Sequence, residues 1–161
     1  MDDVYIGKGR LAGKGVYAAR DFEQGERVKY YNLRELSQAD FDSLPVSDQM
    51  FVHSFWGKMY LFPEPSRYTN HSAHPNTKSD LKNMCDYVVR PILKGDMITT
   101  NATEEIRNEL MTFVEALEQT AVKKFTWIRG GHRNAVVSYY IDEKKRALTL
   151  RRVKGNWRVT S

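Results

Sequence analysis

The chain has 161 residues, of which 41% are hydrophobic and 12% aromatic, and it carries a formal net charge of +5. This length suits one ordinary domain, or one small domain with an appendage, and no apolar run approaches the roughly 20 residues of a membrane-spanning helix. The N-terminus has no basic segment followed by an apolar stretch, so we expect no secretory signal, a cytoplasmic location and no membrane partner.

The first hundred residues predict a series of short strands with one helix among them. The helix is predicted over "LSQADFDSL", with Ser37 as its N-cap. Glycine and proline separate the extended stretches, which are too short for a doubly wound parallel sheet. These stretches read "GVYAAR", "ERVKYY", "GKMYLF", "DYVVRPIL" and "DMITTN".

The pattern changes near residue 103, where Thr103 is predicted to cap a longer helix. An apolar stripe at helical spacing follows, formed by Ile106, Leu110, Phe113, Val114 and Leu117. Beyond it, "NAVVSYYI", "RALTLRRV" and "NWRVT" predict a three-stranded antiparallel meander. We therefore expect a mainly β protein with few helices, divided into residues 1–103 and residues 104–161, which could pack as one unit.

Positive charge is concentrated at the end of the chain. Residues 121–161 contain 11 Lys or Arg and two Asp or Glu. Such an excess predicts association with an acidic protein or nucleic acid, and the alternative is a solvated strand face. Trp157, among four cations, could stack on a base, or it could form a small core with Leu150.

The stretch "RYTNHSAHPNT" (67–77) contains the densest group of reactive side chains. A metal site built on His71 and His74 would need a third ligand, and Asp80, Cys85 and His53 show no familiar spacing, so no metal is predicted. A serine hydrolase is also disfavoured, because neighbouring side chains on an extended chain point to opposite faces.

Three segments together resemble the small, SET-only type of SET-domain protein-lysine methyltransferase. "AGKGVYAARDFEQGERV" (12–28) is similar to the family's glycine-rich opening hairpin. "RYTNHSAHPNT" resembles its R-F-x-N-H-S-C-x-P-N signature. "DYVVRPILKGDMITTNA" (86–102) is similar to the segment that ends in I-x-x-G-E-E-L-T-x-D-Y. The resemblance covers residues 4–102.

This resemblance implies a fold of short twisted β-sheets with a knot-like crossing, and S-adenosylmethionine as cofactor. By position, main-chain groups of Lys14 and Gly15 would lie near the cofactor, and Tyr17 would help wall its pocket. Asn70 would hydrogen-bond the methionine moiety, and the backbone of His71 would contact the adenine. A lysine presented by a substrate protein would enter from the opposite side.

The chemistry requires a neutral amine aligned with the bond between the sulfonium and its methyl group. The pKa of lysine in solution is about 10.4, so a water-poor channel must favour its neutral form. Aromatic walls suit such a channel because they exclude water and tolerate a methylated ammonium. The candidate walls are Tyr30, Tyr31, Tyr60 and Tyr68.

The sequence departs from the family pattern where the main catalytic tyrosine is usually found. Asn101 stands at the acidic position and Ala102 at the tyrosine, and Ala73 replaces the usual cysteine. The three-cysteine zinc cluster that follows the domain in many members cannot form here. Another hydroxyl would have to substitute, and the candidates are Tyr68, Tyr60 and Thr100.

Three functions remain open from the sequence. The first is an S-adenosylmethionine-dependent methyltransferase that acts on lysine side chains of a protein. The second is a catalytically silent SET-like binding or scaffold module, which Ala102 would explain. The third is a binder of nucleic acid or acidic protein through residues 121–161.

Overall fold

The computed structural model describes residues 3–30 and 32–160. Within them the chain is mainly β with few helices, as predicted. The strands are β1 (Val4–Leu11), β2 (Lys14–Ala18), β3 (Arg27–Tyr30), β4 (Arg34–Leu36), β5 (Val52–Phe55), β6 (Lys58–Leu61), β7 (Asn70–His71), β8 (Thr77–Asp80), β9 (Cys85–Val88), β10 (Met97–Thr100), β11 (Lys123–Gly130), β12 (Asn134–Ile141), β13 (Lys144–Val153) and β14 (Asn156–Val159). The helices are α1 (Gln38–Ser43), α2 (Val46–Gln49), α3 (Ala102–Glu118) and a 3-10 helix (Ser66–Tyr68). No helix among these residues is long and apolar enough to span a bilayer.

The chain forms two compact units. The first consists of Met1–Leu33 and Phe62–Thr103, and the second of Arg34–Leu61 and Glu104–Ser161. The boundary near residue 103 coincides with the change in sequence pattern. Residues 34–61, which the sequence division placed with the first region, group with the C-terminal part.

The first unit contains two sheets. One has the strand order β1-β2-β10-β7 and the other β3-β9-β8. β10 pairs antiparallel with β2 and parallel with β7, where Thr99 lies opposite Asn70. Parallel neighbours require a crossover connection, so two distant segments of the chain meet at β10. The buried side chains of this unit include Val16, Ala18, Val88, Ile92 and Ile98.

The hairpin between β1 and β2 needs glycine at two places. Gly13 has φ +76° in the turn, a left-handed backbone that glycine adopts without strain. A Cβ on Gly9 would lie 2.2 Å from the carbonyl oxygen of Lys14. The close approach of the two strands therefore excludes a side chain at residue 9, and it holds the start of β2 in place.

The second unit contains the sheets β4-β6-β5 and β11-β12-β13-β14. The three predicted meander strands are β12, β13 and β14, and β11 adds a fourth that the sequence analysis did not predict. Its sequence, "KKFTWIRG", alternates through Phe125 and Trp127, which pack against the core of this unit. That alternation was the available signal.

Helix α3 buries most of its predicted stripe within this unit. Ile106, Leu110 and Val114 are buried in one core with residues of the meander, and Phe113 packs against it. Leu117 is 47% exposed, so the stripe ends one turn earlier than predicted. Helix α1 has the predicted cap, because the Ser37 hydroxyl accepts from the Asp40 N–H at 3.1 Å.

Candidate functional site

The side chain of Asn70 joins three parts of the first unit. Its Oδ1 accepts a hydrogen bond from the backbone N–H of Arg10 at 2.7 Å. Its Nδ2 donates to the carbonyl oxygens of Lys14 at 2.8 Å and Tyr68 at 2.9 Å. Asn70 is buried, and both of its amide hydrogens are committed within the protein. A ligand that bonds this side chain in this conformation must therefore donate to Oδ1.

His71 lies where β7 runs beside β10. Its backbone is opposite Thr100, and the N–H of Ser72 donates to the carbonyl oxygen of Thr100 at 2.9 Å. The exposed imidazole accepts at Nδ1 from the backbone N–H of Ala102 at 3.0 Å. Because Nδ1 is an acceptor, the neutral ring carries its proton on Nε2.

The second asparagine of the signature, Asn76, holds β10 from the other end of the loop. Its Oδ1 accepts from the backbone N–H of Thr99 at 2.9 Å, and its Nδ2 donates to the carbonyl oxygen of Met97 at 2.9 Å. Asn76 is buried, and its amide completes bonds that a neighbouring strand would otherwise make. The sequence analysis quoted this residue without assigning it a role, although its place in the motif was a usable signal.

Lys14 and Gly15 begin β2 and lie against Asn70 through the Lys14 carbonyl. A Cβ on Gly15 would stand 3.2 Å from Cε of Met97 and 3.4 Å from Nδ2 of Asn70. Such contacts are tight for a methyl group, so glycine keeps this approach open.

Tyr17, also on β2, lies over β1. Its hydroxyl donates to the carbonyl oxygen of Lys8, and its ring stacks on Tyr5 with centroids 5.6 Å apart. A Cβ on Gly7 would come within 2.7 Å of the same ring. Tyr17 is thus held by β1, and its role as a wall of the cofactor pocket stays a prediction.

Tyr68 is the candidate catalytic tyrosine that belongs to the same unit as Asn70. It is buried, and its hydroxyl donates to Oε1 of Glu64 at 2.9 Å. The ammonium of Lys14 lies over its ring, 4.7 Å from the centroid. The ring face therefore accepts a cation already in this structure.

Of the other predicted tyrosines, the structure describes the side chain of Tyr60 alone. Tyr60 is a half-buried residue of β6 in the second unit, 6.4 Å from the ring of Phe55. Tyr31 lies outside the described residues, and Tyr30 is described only as a backbone position of β3. The structure thus brings Tyr68, Asn70 and Lys14 together and assigns Tyr60 to a different unit.

Ala102, at the position of the usual tyrosine, is the first residue of α3. The Oδ1 of Asn101 accepts from the N–H of Thr103 at 3.0 Å, as an N-cap side chain does. The prediction that Thr103 is the N-cap was wrong, because the helix begins one residue before it and Asn101 supplies the acceptor. Asn101 and Ala102 therefore serve as the cap and first turn of a helix.

The family assignment follows from comparison with known proteins. The SET domain model matches residues 13–101, which is more than half of the chain and contains β2, β7 and β10. The chain belongs to the SET-domain family. The resemblance read from the three segments is confirmed, as is the SET-type fold.

The chain is also similar to parts of solved structures. One is a Plasmodium falciparum protein described as a candidate histone methyltransferase, at 21% identity and a TM-score of 0.50, covering 63% of this chain and 93% of that one. Another is a humanized mutant of the Chaetomium thermophilum Polycomb Repressive Complex 2 bound to the inhibitor GSK126, at 23% identity and a TM-score of 0.49. It covers 63% of this chain, which spans only 15% of that one. No curated protein matches the chain by sequence.

The basic C-terminal part of this SET protein buries one of its two tryptophans. Trp157 is 2% exposed and lies in one core with Leu150, so the prediction of a small local core is confirmed. The guanidinium of Arg152 lies 4.5 Å from the centroid of the Trp157 ring. The ring is therefore not available for stacking on a base.

Proposed function

We propose that this protein transfers a methyl group from S-adenosylmethionine to the side-chain nitrogen of a lysine in a protein. The observation that carries the proposal is the set of bonds made by Asn70. They join the glycine hairpin at Lys14 and the segment of Tyr68, while Asn70 itself pairs with β10. All three segments of the family pattern therefore meet at one residue, two through its side chain and the third through its backbone.

The residues present fit the cofactor as a set of main-chain and amide groups. Backbone groups of Lys14 and Gly15, Oδ1 of Asn70 and the backbone of His71 would hold it. The free lone pair of Asn70 Oδ1 suits an ammonium donor, and glycine at residue 15 leaves room beside it. When bound, S-adenosylmethionine supplies a methyl group on a positively charged sulfur.

Tyr68 would orient the amine of the substrate. Its ring already carries the Lys14 ammonium at 4.7 Å, and a cation on an aromatic face is favourable. Its hydroxyl donates to Glu64, which fixes the orientation of the phenol oxygen. Exclusion of water around the ring would favour the neutral amine that the reaction needs.

Cofactor binding is tested by calorimetry with Gly15→Ala. The added methyl would press on Asn70 and Met97, so we expect the affinity for S-adenosylmethionine to fall at least several-fold. Gly131→Ala is the matched control, because a Cβ there meets nothing within 4 Å. Equal affinities in both variants and the wild type would contradict the proposed cofactor site.

Methyl transfer is tested with S-adenosylmethionine carrying a radiolabelled methyl group and a soluble protein extract. The labelled protein is hydrolysed, and N-methyl-lysine is sought among its amino acids. Tyr68→Phe should lower the rate on the order of a hundredfold, as loss of a well-placed hydroxyl commonly does. Tyr87→Phe, on β9 of the same unit, serves as the control. An unchanged rate in Tyr68→Phe would remove this residue from the mechanism.

A second candidate function is a non-catalytic SET module that holds the cofactor or a partner. It is favoured by the use of Asn101 and Ala102 as the start of α3. Cofactor binding that is sensitive to Gly15→Ala, without any N-methyl-lysine formed, would support this function over the first.

The third predicted function is the binding of an acidic protein or nucleic acid by residues 121–161, and it rests on their positive charge. The burial of Trp157 argues against base stacking as part of it. Association of this kind should weaken steeply as salt rises, and it should be lost when the exposed Arg151 and Arg158 are both changed to glutamate, whereas Arg152 is left unchanged because it pairs with the buried Glu109. An affinity that responds to neither change would exclude it.

A further inference from the structure

A cavity of about 580 Å³ in the second unit opens to the solvent and has a basic lining. Four of its lining residues are cationic, and none of the residues described there is a carboxylate. The lining residues are Phe41, Gln49, Arg133, Asn134, Arg151, Arg152, Lys154 and Gly155. All of them belong to the second unit, so the cavity is complete without the SET site.

One of the four cations is neutralised inside the protein and forms a fixed wall. Arg152 binds both carboxylate oxygens of Glu109, at 3.3 and 3.1 Å. It also donates to the carbonyl oxygens of His132 and Gly155. These bonds immobilise the guanidinium, and the carboxylate of Glu109 neutralises its charge.

The other three cations have no carboxylate partner among the described residues. Arg133, Arg151 and Lys154 are exposed, and no ion pair within 4 Å is found for any of them there. Arg151 lies directly opposite Arg158 on β14, and like charges in opposed positions are destabilising. The protein thus retains a local excess of positive charge at a cost to its own stability.

The cavity favours a compact anion over a polymer. Its size lies within the range of small-molecule sites, about 300–1,000 Å³. The rigid fork of arginine matches phosphate oxygens, and Asn134 and Gln49 add neutral amides. Nucleic acid that binds as a single strand uses exposed aromatic rings, whereas Phe41 is 7% exposed and Trp157 is buried.

We propose that this cavity binds a small anion with two linked phosphate groups. Arg133, Arg151 and Lys154 contact the phosphate oxygens, and Arg152 forms the wall behind them. The group comes either from a free diphosphate or from the diphosphate part of a nucleotide. Because no exposed ring lines the cavity, we expect both sources to bind with similar affinity.

The test is calorimetry of the full chain with sodium pyrophosphate at an ionic strength held constant with sodium chloride. We expect saturable binding with one site, and a loss of at least tenfold in affinity in Arg151→Gln and in Arg133→Gln. Arg151→Lys keeps the charge but loses the fork, so its affinity should fall between those of Arg151→Gln and the wild type.

Lys144→Gln is the matched control. It removes one charge from the same strand, roughly 23 Å from Arg151 at 3.3 Å per residue, and it should bind pyrophosphate as the wild type does. Circular dichroism of each variant checks its fold, and a thermal shift of the wild type by pyrophosphate gives a second readout of binding.

A nucleoside diphosphate and a single-stranded oligonucleotide complete the experiment. Similar affinities for the nucleoside diphosphate and pyrophosphate would support recognition of the phosphate groups alone. Tighter binding of the nucleoside diphosphate would identify a nucleotide as the source of the bound diphosphate group. Absence of pyrophosphate binding, or equal losses in Lys144→Gln and Arg151→Gln, would overturn the site. So would oligonucleotide binding that pyrophosphate does not displace.

Discussion

At the scale of single residues, the side-chain amides of the two asparagines in the signature bond to backbone groups of neighbouring segments, as a paired strand would. Asn70 and Asn76 each donate and accept bonds that link separate strands, and both are buried. An amide suits this work because it offers two donors and an acceptor in one plane. The side chain of Asn70 therefore stabilises the fold, and it is the same side chain that we propose for cofactor binding.

Asn70→Ala should lower the free energy of unfolding by about 3 kcal/mol, because it removes three hydrogen bonds worth about 1 kcal/mol each. Urea denaturation measures this change. Asn83→Ala is the control, since Asn83 is exposed and bonded only within its own turn to Asp80. A loss in Asn70→Ala no larger than in Asn83→Ala would show that these bonds contribute little. Because of this expected loss, Gly15→Ala is the better probe of cofactor binding.

At the scale of elements, helix α3 begins at the position where members of the family usually have a catalytic tyrosine. Asn101 caps the helix, and the N–H of Ala102 in its first turn is satisfied by the ring of His71. The first N–H groups of a helix have no partner within it, so both acceptors stabilise the helix start. A cap at Asn101 explains why an asparagine is suitable at the family's acidic position.

Asn101→Ala should therefore cost about 1 kcal/mol, the usual effect of losing an N-cap. Asn101→Asp keeps an acceptor oxygen and places negative charge at the helix N-terminus, so its stability should be close to that of the wild type. Thermal denaturation of the two variants provides the comparison. If Asn101→Asp destabilised the protein as much as Asn101→Ala, residue 101 would not stabilise the helix by capping it.

A buried polar network connects α3 with β5 and β13 in the second unit. Glu109 is 2% exposed, accepts from the backbone N–H of Ser54 at 2.6 Å, and pairs with Arg152. The Ser54 hydroxyl donates to Oδ1 of Asn156 at 2.7 Å. These bonds join residues that are 43 to 102 positions apart in the chain.

Glu109→Ala should lower the free energy of unfolding by about 3–5 kcal/mol, since it leaves Arg152 and a buried N–H without their acceptor. Guanidinium denaturation gives the value. Glu115→Ala, on the same helix, is the matched control and should change stability by less than about 0.5 kcal/mol. Equal effects of the two substitutions would show that the network contributes nothing beyond helix propensity.

At the scale of the whole molecule, the same network predicts how stability depends on pH. Burial disfavours a charged His53, but the carboxylate of Glu109 outweighs it and raises the pKa of His53. Nδ1 of His53 lies 3.8 Å from Oε2 of Glu109. Glu105 adds negative charge and Arg152 opposes it. Burial likewise opposes ionisation of Glu109, but His53 and Arg152 lower its pKa.

We expect the stability of the protein to fall on both sides of a window set by these two groups. A raised pKa in the folded state stabilises below the unfolded value of about 6.5 and is lost as pH rises through the folded value. A lowered pKa stabilises above the unfolded value and is lost as pH falls through the folded one. Denaturation as a function of pH should show that His53→Gln removes the loss of stability that His53 contributes on the high-pH side, where pH rises through its raised pKa.

His74→Gln, at an exposed loop position, is the control and should leave the alkaline limb of the profile unchanged. An identical limb in His53→Gln and the wild type would mean that the pair with Glu109 does not stabilise the folded state.

The sequence by itself determined the family, half of the short strands in the first hundred residues, the three meander strands, helix α1 with its cap, and helix α3 without its cap. These features depend on local signals. They are glycine at turns, alternating apolar residues along strands, apolar residues at helical spacing along α3, and a motif whose residues are consecutive in the sequence. The Ser37 cap could be predicted because its partner, Asp40, lies three residues away. Tyr68 and Asn70 were grouped for the same reason.

Only the tertiary structure decided which distant segments associate. It grouped residues 34–61 with the C-terminal part, so Tyr60 and Tyr68 fell into different units. It also revealed the bonds of Asn70 to Arg10 and Lys14, and the cations around one cavity. The physical reason is that such contacts arise from burial and pairing across 50 to 100 residues, where no local pattern of side chains records the partner.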